Sequence, residues 1–220
     1  MRAMVLKEPG LLIQEDRERA AARHGETLVR VRRSGICGTD LKIYSGAIPV
    51  DYPRIMGHEA VGEVVAGKEG GGRVIVDPAY YCGDCYHCRA EQQHICPDGG
   101  LIGRDRDGGF ADYVAVPRRN THALPDEIDD DEAPLIQVLT TCLHGHRKAD
   151  IFPGEAVVVL GLGVTGQLHV QLAKARGAHP VIGITRSAWK RELAEQLGAD
   201  LTLAPDDDTD CTNSIPLPTR

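Results

Sequence analysis

The sequence predicts a mixed fold: a β-rich N-terminal module of short strands, then an incomplete parallel α/β unit. Three observations predict it. Up to about residue 125, short apolar runs alternate with Gly, Pro and Asp signals. Over residues 126–152 the texture turns helical, and from residue 153 an apolar strand, a glycine turn, an amphipathic helix and a second apolar strand follow one another.

In the first module, "AMVL", "TLVRVRRS", "EAVGEVVA", "GRVIVDP" and "ADYVAVP" read as strands. Short strands at this density suggest a barrel-like or sandwich module with long loops. The stretch "LPDEIDDDEAPLIQVLTTCLHGHRKA" reads as a helix, with acids crowding its first turn and bases its last, as the helix dipole prefers. After Pro153-Gly154, "EAVVVLGLGVTGQLHVQLAKARGAHPVIGITRS" is a βαβ unit, followed by the helix "AWKRELAEQLGA" and a short strand "LTL". Residues 153–208 thus form one partial sheet unit, and 209–220 read as an acidic, Pro-bearing disordered tail. A complete doubly wound sheet has about six strands, and only two or three are expected here.

The chain has 220 residues and a net charge of −7, which speaks against a nucleic-acid or anionic-membrane footprint. It contains no run of about 18 apolar residues and no basic-then-apolar leader, so a cytoplasmic protein is expected. Seven cysteines, an odd number, in a reducing compartment point to metal binding or catalysis rather than a disulfide framework.

Four of those cysteines, Cys82, Cys85, Cys88 and Cys96, lie in "CGDCYHCRAEQQHIC". The C-x2-C-x2-C-x7-C spacing lets one loop wrap a zinc ion in a closed tetrahedron of thiolates, with Gly83 allowing the tight turn. His87 and His94 lie in the same loop and are expected to face solvent. A looser set, Cys37, His58 and Glu59, comes from "SGICGTDLK" and "IMGHEAVGEVV". A catalytic zinc wants three protein ligands and one open position, but one Cys and one His alone are weak evidence for it.

The turn "GLGVTG" fits G-x-G-x-x-G and stands where that motif must stand, after a strand and opening a helix. Gly161 makes the turn, Gly163 admits a pyrophosphate to the backbone beside Leu162 and Val164, and Gly166 lets helix and strand pack. The next strand ends in Thr185, Arg186 and Ser187, where an NAD enzyme carries Asp or Glu. A hydroxyl and a guanidinium suit a 2′-phosphate, which favours NADP over NAD.

Taken together, "GICGTD", "GHEAVGEVV", the four-cysteine loop, "GGFADYVAVP" and "VVVLGLGVTGQLHVQLAKARGA" resemble the zinc-dependent medium-chain alcohol and polyol dehydrogenases, from residue 1 to roughly 203. The resemblance implies an N-terminal GroES-like β-barrel domain (1–125), a connecting helix region (126–152) and an incomplete Rossmann domain, as in a C-terminally truncated member, with the catalytic zinc in the cleft between the two domains. It implies two zincs per chain, with Cys37, His58, Glu59 and Gln137 around the catalytic one. Thr39 would accept the substrate's proton, and Lys42 stands where many relatives place a relay histidine. Cys142 reads as a core thiol. The implied activity is hydride transfer between a secondary alcohol, polyol or sugar and NAD(P), with a small alcohol or carbonyl as substrate and a homo-oligomer compatible with the family. The alternative is a non-catalytic remnant that keeps a structural zinc.

Overall fold

The computed structural model describes residues 1–67 and 71–205. The predicted tail, 209–220, lies outside the described residues. The chain divides into two compact units, Met1–Gln137 and Val138–Arg220.

In the first unit, strands β1 (Arg2–Glu8) and β2 (Leu11–Asp16) form a hairpin that also pairs with β4 (Arg54–Ile55). The central sheet has the order β10-β6-β5-β3-β9, built from β3 (Glu26–Gly35), β5 (Glu59–Ala66), β6 (Arg73–Val76), β9 (Tyr113–Pro117) and β10 (Thr121–Ala123). A third, two-stranded sheet joins β7 (Ala79–Tyr80) to β8 (Gly100–Leu101). The described strands of this β-rich unit form separate sheets rather than one closed cylinder. Strands as short as two residues carry too few ladder bonds to close a ring.

The central core holds Val29, Ala60, Val74, Val76, Val114 and Val116 from the sheet, with Ile102 just after β8, while the opposite face of β5 and β6 buries Val61 and Ile75 against Leu124 and Ala133. Helix α1 (Gly38–Tyr44) is anchored beside it by Ile43, which is fully buried with Leu6 and Met56. Helix α2 (Tyr86–Arg89) belongs to the four-cysteine loop.

Helix α3 (Leu135–Ala149) is shorter than expected. Its first turn holds no acid, although His146, Arg147 and Lys148 do fill its last. Residues 125–134 form turns instead, because Pro134 cannot donate a helical hydrogen bond. The acids there are engaged by cations from the sheet. Arg73 donates to Asp130 at 2.7 Å and to the backbone carbonyl of Ile128, while Arg33 pairs with Asp131.

The second unit is a parallel three-stranded sheet, β11 (Val157–Leu160), β12 (Val181–Ile184) and β13 (Leu201–Leu203), in that order. Helices α4 (Val164–Ala175) and α5 (Ala188–Gln196) connect the strands. Val159, Leu162, Val170, Ala173, Val181 and Ala194 close a core between sheet and helices. Cys142 is buried there as expected, its Sγ 3.8 Å from the carbonyl of Thr165. No helix among the described residues is long and apolar enough to cross a membrane.

Because Ile43 is the one fully buried apolar anchor of α1, Ile43→Ala should cost about 2–5 kcal/mol of unfolding free energy. A lower urea midpoint at unchanged slope would register that loss.

Candidate functional site

The antiparallel register of β3 and β5 brings two distant segments together. Gly35 pairs with Glu59, so Cys37, two residues beyond the end of β3, and His58, one before β5, emerge side by side. The ligand atoms of Cys37, His58 and Glu59 all lie within 4.8 Å of one another. Gly35 is essential to this arrangement, since a Cβ there would sit 2.0 Å from a Glu59 carboxylate oxygen.

Cys37 caps α1, and its backbone N–H donates to Asp40 Oδ2 at 2.9 Å. The other Asp40 oxygen lies 3.5 Å from His58 Nδ1, and neither atom has a hydrogen-bond partner otherwise. Asp40, His58 and Glu59 are all buried. Asp40 thus faces Nδ1 of the imidazole, so that Nε2 is the nitrogen that could ligate an ion, as in a carboxylate–histidine arrangement behind a metal. The sequence placed Asp40 beside the cysteine without giving it this task. The Cys-x-x-Asp capping spacing was the signal that could have found it.

The electrostatics fit a cation. Burial pushes His58 down, yet the Asp40 carboxylate and Cys37 outweigh it and raise the imidazole to about 9. Burial raises the Glu59 carboxyl, and Asp40 adds to the rise. A thiol, two carboxyls and an imidazole enclosed together can share positive charge from one proton or, better, from a divalent ion. Sulfur, nitrogen and oxygen donors in one set suit zinc.

Thr39 is half-buried in the first turn of α1, and Lys42 is exposed on the same helix. Gln137 is half-buried three residues into α3, its backbone N–H bonded to the carbonyl of Pro134.

The second cluster is Cys82, Cys85, Cys88 and Cys96. All four are unpaired thiols, with sulfur separations of 3.5 Å (Cys82–Cys96), 3.8 Å (Cys82–Cys88) and 3.9 Å (Cys85–Cys96). A tetrahedron with metal–sulfur bonds of 2.3 Å has edges of about 3.8 Å, whereas a disulfide needs about 2.05 Å. Backbone N–H groups of Cys85, Cys88 and Cys82 point at the sulfurs of Cys82, Cys85 and Cys96. Backbone donors from Asp84 and Cys85 lower the Cys82 thiol to about 6, while burial, reinforced by the neighbouring thiols, raises Cys88 to about 12. Full ionisation of the four therefore calls for a cation among them. His94 is exposed as expected, but His87 is half-buried with Nδ1 enclosed, its ring edge-on to that of Tyr86 in α2.

In the second unit, the glycine turn follows β11. Gly161 has φ +91°, and Gly163 caps α4 with nothing near its missing Cβ. A Cβ on Gly166 would lie 2.0 Å from the carbonyl of Gly161, so this position holds helix against turn. Leu162 is buried, whereas Val164 is 58% exposed and leaves the helix N-terminus open to an anion. Thr185 and Ser187 are half-buried and Arg186 is exposed past the end of β12. Arg191, which the sequence did not single out, donates to the carbonyls of Thr185 (2.8 Å) and Arg186 (3.1 Å) and braces that loop.

Residues 23–126 match the alcohol dehydrogenase GroES-like domain family, and residues 164–215 match the zinc-binding dehydrogenase family. The chain is 39% identical over 195 residues to an L-threonine 3-dehydrogenase of Pyrococcus horikoshii, covering 82% of this chain and 55% of that protein. Its fold superposes on a protein described as a zinc-binding dehydrogenase from Sinorhizobium meliloti 1021, bound to NADP, with TM-score 0.87 and 38% identity. The match covers 93% of this chain and 61% of that one. An alcohol dehydrogenase (rspB) of Escherichia coli CFT073, complexed with NADH, gives TM-score 0.87 at 32% identity, covering 94% and 63%. The chain thus spans somewhat more than half the length of the relatives it matches.

The glycine geometry separates folding from binding. Gly166→Ala should lower the melting temperature, because its Cβ has no room. Gly163→Ala should leave it within about 2 °C, as an open site predicts. A Gly163→Ala protein that melts like the parent but binds nucleotide more weakly would mark the backbone approach to the pyrophosphate, measured by scanning calorimetry and ligand titration.

Proposed function

The chain belongs to the zinc-dependent medium-chain alcohol and polyol dehydrogenases, and from that premise we propose that it takes part in hydride transfer between a secondary alcohol, polyol or sugar and NADP. The observation that carries the proposal is the convergence of Cys37, His58 and Glu59 within 4.8 Å, backed by Asp40. In this reading Cys37, His58 and Glu59 hold a catalytic zinc, with Gln137 as a neutral further oxygen donor. Cys82, Cys85, Cys88 and Cys96 hold a structural zinc, giving two per chain. The bound zinc would supply Lewis acidity that acidifies a hydroxyl, and the nucleotide would supply the hydride acceptor.

The chain's own residues do the rest. Thr39, two residues past the Cys37 cap, accepts the substrate's proton while its own hydroxyl proton passes to solvent water, and the exposed Lys42 holds a polar group of the ligand rather than relaying that proton. Asp40 keeps the His58 ring in one orientation and one tautomer. The amides at the start of α4 bind the pyrophosphate. Thr185, Arg186 and Ser187 receive the 2′-phosphate, because no carboxylate stands there to repel it. The NADP-bound relative supports this choice, while the Escherichia coli relative is bound to NADH. The hydroxyl on threonine's third carbon is a secondary alcohol, so the threonine-dehydrogenase relatives support that substrate class.

A second reading, a zinc-holding chain without turnover, is favoured by β11, which is the edge strand of its sheet among the described residues and exposes the face bearing Leu160 (78%) and Val158 (53%).

The full chain should carry two zincs by metal analysis, Cys85→Ser one and Cys37→Ser one. NADP should quench intrinsic fluorescence at lower concentration than NAD, and Arg186→Ala should narrow the gap. Turnover of a secondary alcohol that falls at least about 10²-fold in Thr39→Ala supports the first reading. Two zincs and bound nucleotide without any turnover support the second. A chain with neither zinc nor nucleotide affinity overturns both.

A further inference from the structure

The side chain of Arg119 braces the four-cysteine loop from outside. Arg119 lies in a short 3-10 turn, Arg118–Asn120, between β9 and β10. Its Nη2 donates to the backbone carbonyls of Tyr81 (2.5 Å) and Cys82 (3.3 Å). Its guanidinium carbon stands 4.4 Å over the Tyr81 ring. On the other side, a Cβ on Gly83 would fall 2.5 Å from Arg119 Nη1, so Gly83, at φ +92°, leaves the space the guanidinium fills. The next residue, Asn120, is buried and donates to the carbonyls of Asp77 (2.8 Å) and Ala79 (2.7 Å). One turn therefore grips the whole approach to the loop, from residue 77 to residue 83.

The chemistry gives that grip an electrical meaning. Four thiolates around one divalent zinc sum to a charge of −2. Arg119 places a fixed positive charge at the backbone of Cys82, the first of these residues, with one nitrogen, Nη2, donating to both loop carbonyls. Arginine stays charged at every relevant pH, and a lysine there would keep the charge and a donor but not the planar group over Tyr81.

We propose that Arg119 is a positioning residue and outer counter-cation of the four-cysteine metal loop, holding the turn at Cys82–Gly83 and offsetting the charge of the thiolates. The proposal rests on zinc at these cysteines, as proposed above.

The test uses the full zinc-loaded chain and two variants. Arg119→Gln can still donate to a carbonyl but carries no charge, and Arg119→Lys keeps the charge without the planar guanidinium. Zinc release from the loop is followed with a chromophoric chelator, in a Cys37→Ser background so that only this site reports. Arg119→Gln should release zinc about 10-fold faster or more, and Arg119→Lys should stay within about threefold of the parent. The difference should shrink at high salt, as a charge effect must. In cobalt-substituted protein, the sulfur-to-metal charge-transfer band should move in Arg119→Gln and return in Arg119→Lys.

Release rates and band positions that are the same in the parent and Arg119→Gln would overturn the proposal. So would a lysine variant indistinguishable from the glutamine one. If the Cys37→Ser parent itself binds no zinc, it is the four-cysteine metal site that fails, which metal analysis reads separately. Should Arg119→Gln not fold, the lysine variant alone still decides: release more than about 10-fold faster with a shifted band would sink the charge role.

Discussion

The pairing of Gly35 with Glu59 is the constraint from which the first site follows. Strands β3 and β5 run antiparallel, so the segment leaving one and the segment entering the other meet at the same end of the sheet. Cys37 and His58 are twenty-one positions apart in sequence and neighbours in space for that reason alone. A one-residue slip would turn Glu59 to the opposite face and part the donors. The glycine is as necessary as the register, because the Glu59 carboxylate occupies the volume any larger residue would claim. Two irregularities in the β3–β5 ladder, near Leu28 and near Val31, lie toward the far end and leave the Ser34–Ala60 and Gly35–Glu59 steps regular.

The two clusters of donors solve different problems. Around Cys82 the sulfurs make a closed set, with backbone amides directed at three of them and with spacings close to the edge of a tetrahedron. Such a site suits an ion that ties down a loop poor in apolar contacts. Around Cys37 the set is mixed and smaller. Its charge balance depends on Asp40, which reaches the Cys37 backbone with one oxygen and the His58 ring with the other. A three-donor set has room for one more ligand, which is what a reacting hydroxyl needs.

In the second unit, the same economy of backbone is visible at the glycine turn. Gly161 reverses the chain, Gly166 lets α4 lie on the turn, and buried Gln167 donates to the carbonyls of Leu162 and Lys190. The turn is therefore tied to the start of α5 as well as to its own helix. Arg191 ties the loop after β12 to that helix in turn. A ligand at this end would meet a surface already held in shape, with little ordering left to be done on binding.

By itself, the sequence determined what could be read locally: the five main strands of the first unit, the βαβ pattern, the glycine turn and the four-cysteine spacing. Each is written in side-chain period or in short-range spacing, which a chain carries wherever it folds. Tertiary structure alone decided what depended on distant partners. The acids of residues 126–132 left the helix they seemed to begin because Arg73 and Arg33 reach them from the sheet and Pro134 sets the helix start. The β-rich unit divided into separate sheets because pairing is chosen between strands, and short edge strands such as β2 show only weak alternation. Asp40 and Arg119 gained their tasks only through residues far away in sequence, His58 for one and Tyr81 and Cys82 for the other. Charge and hydrogen bonding act across space, and no periodicity records where a side chain will find its partner.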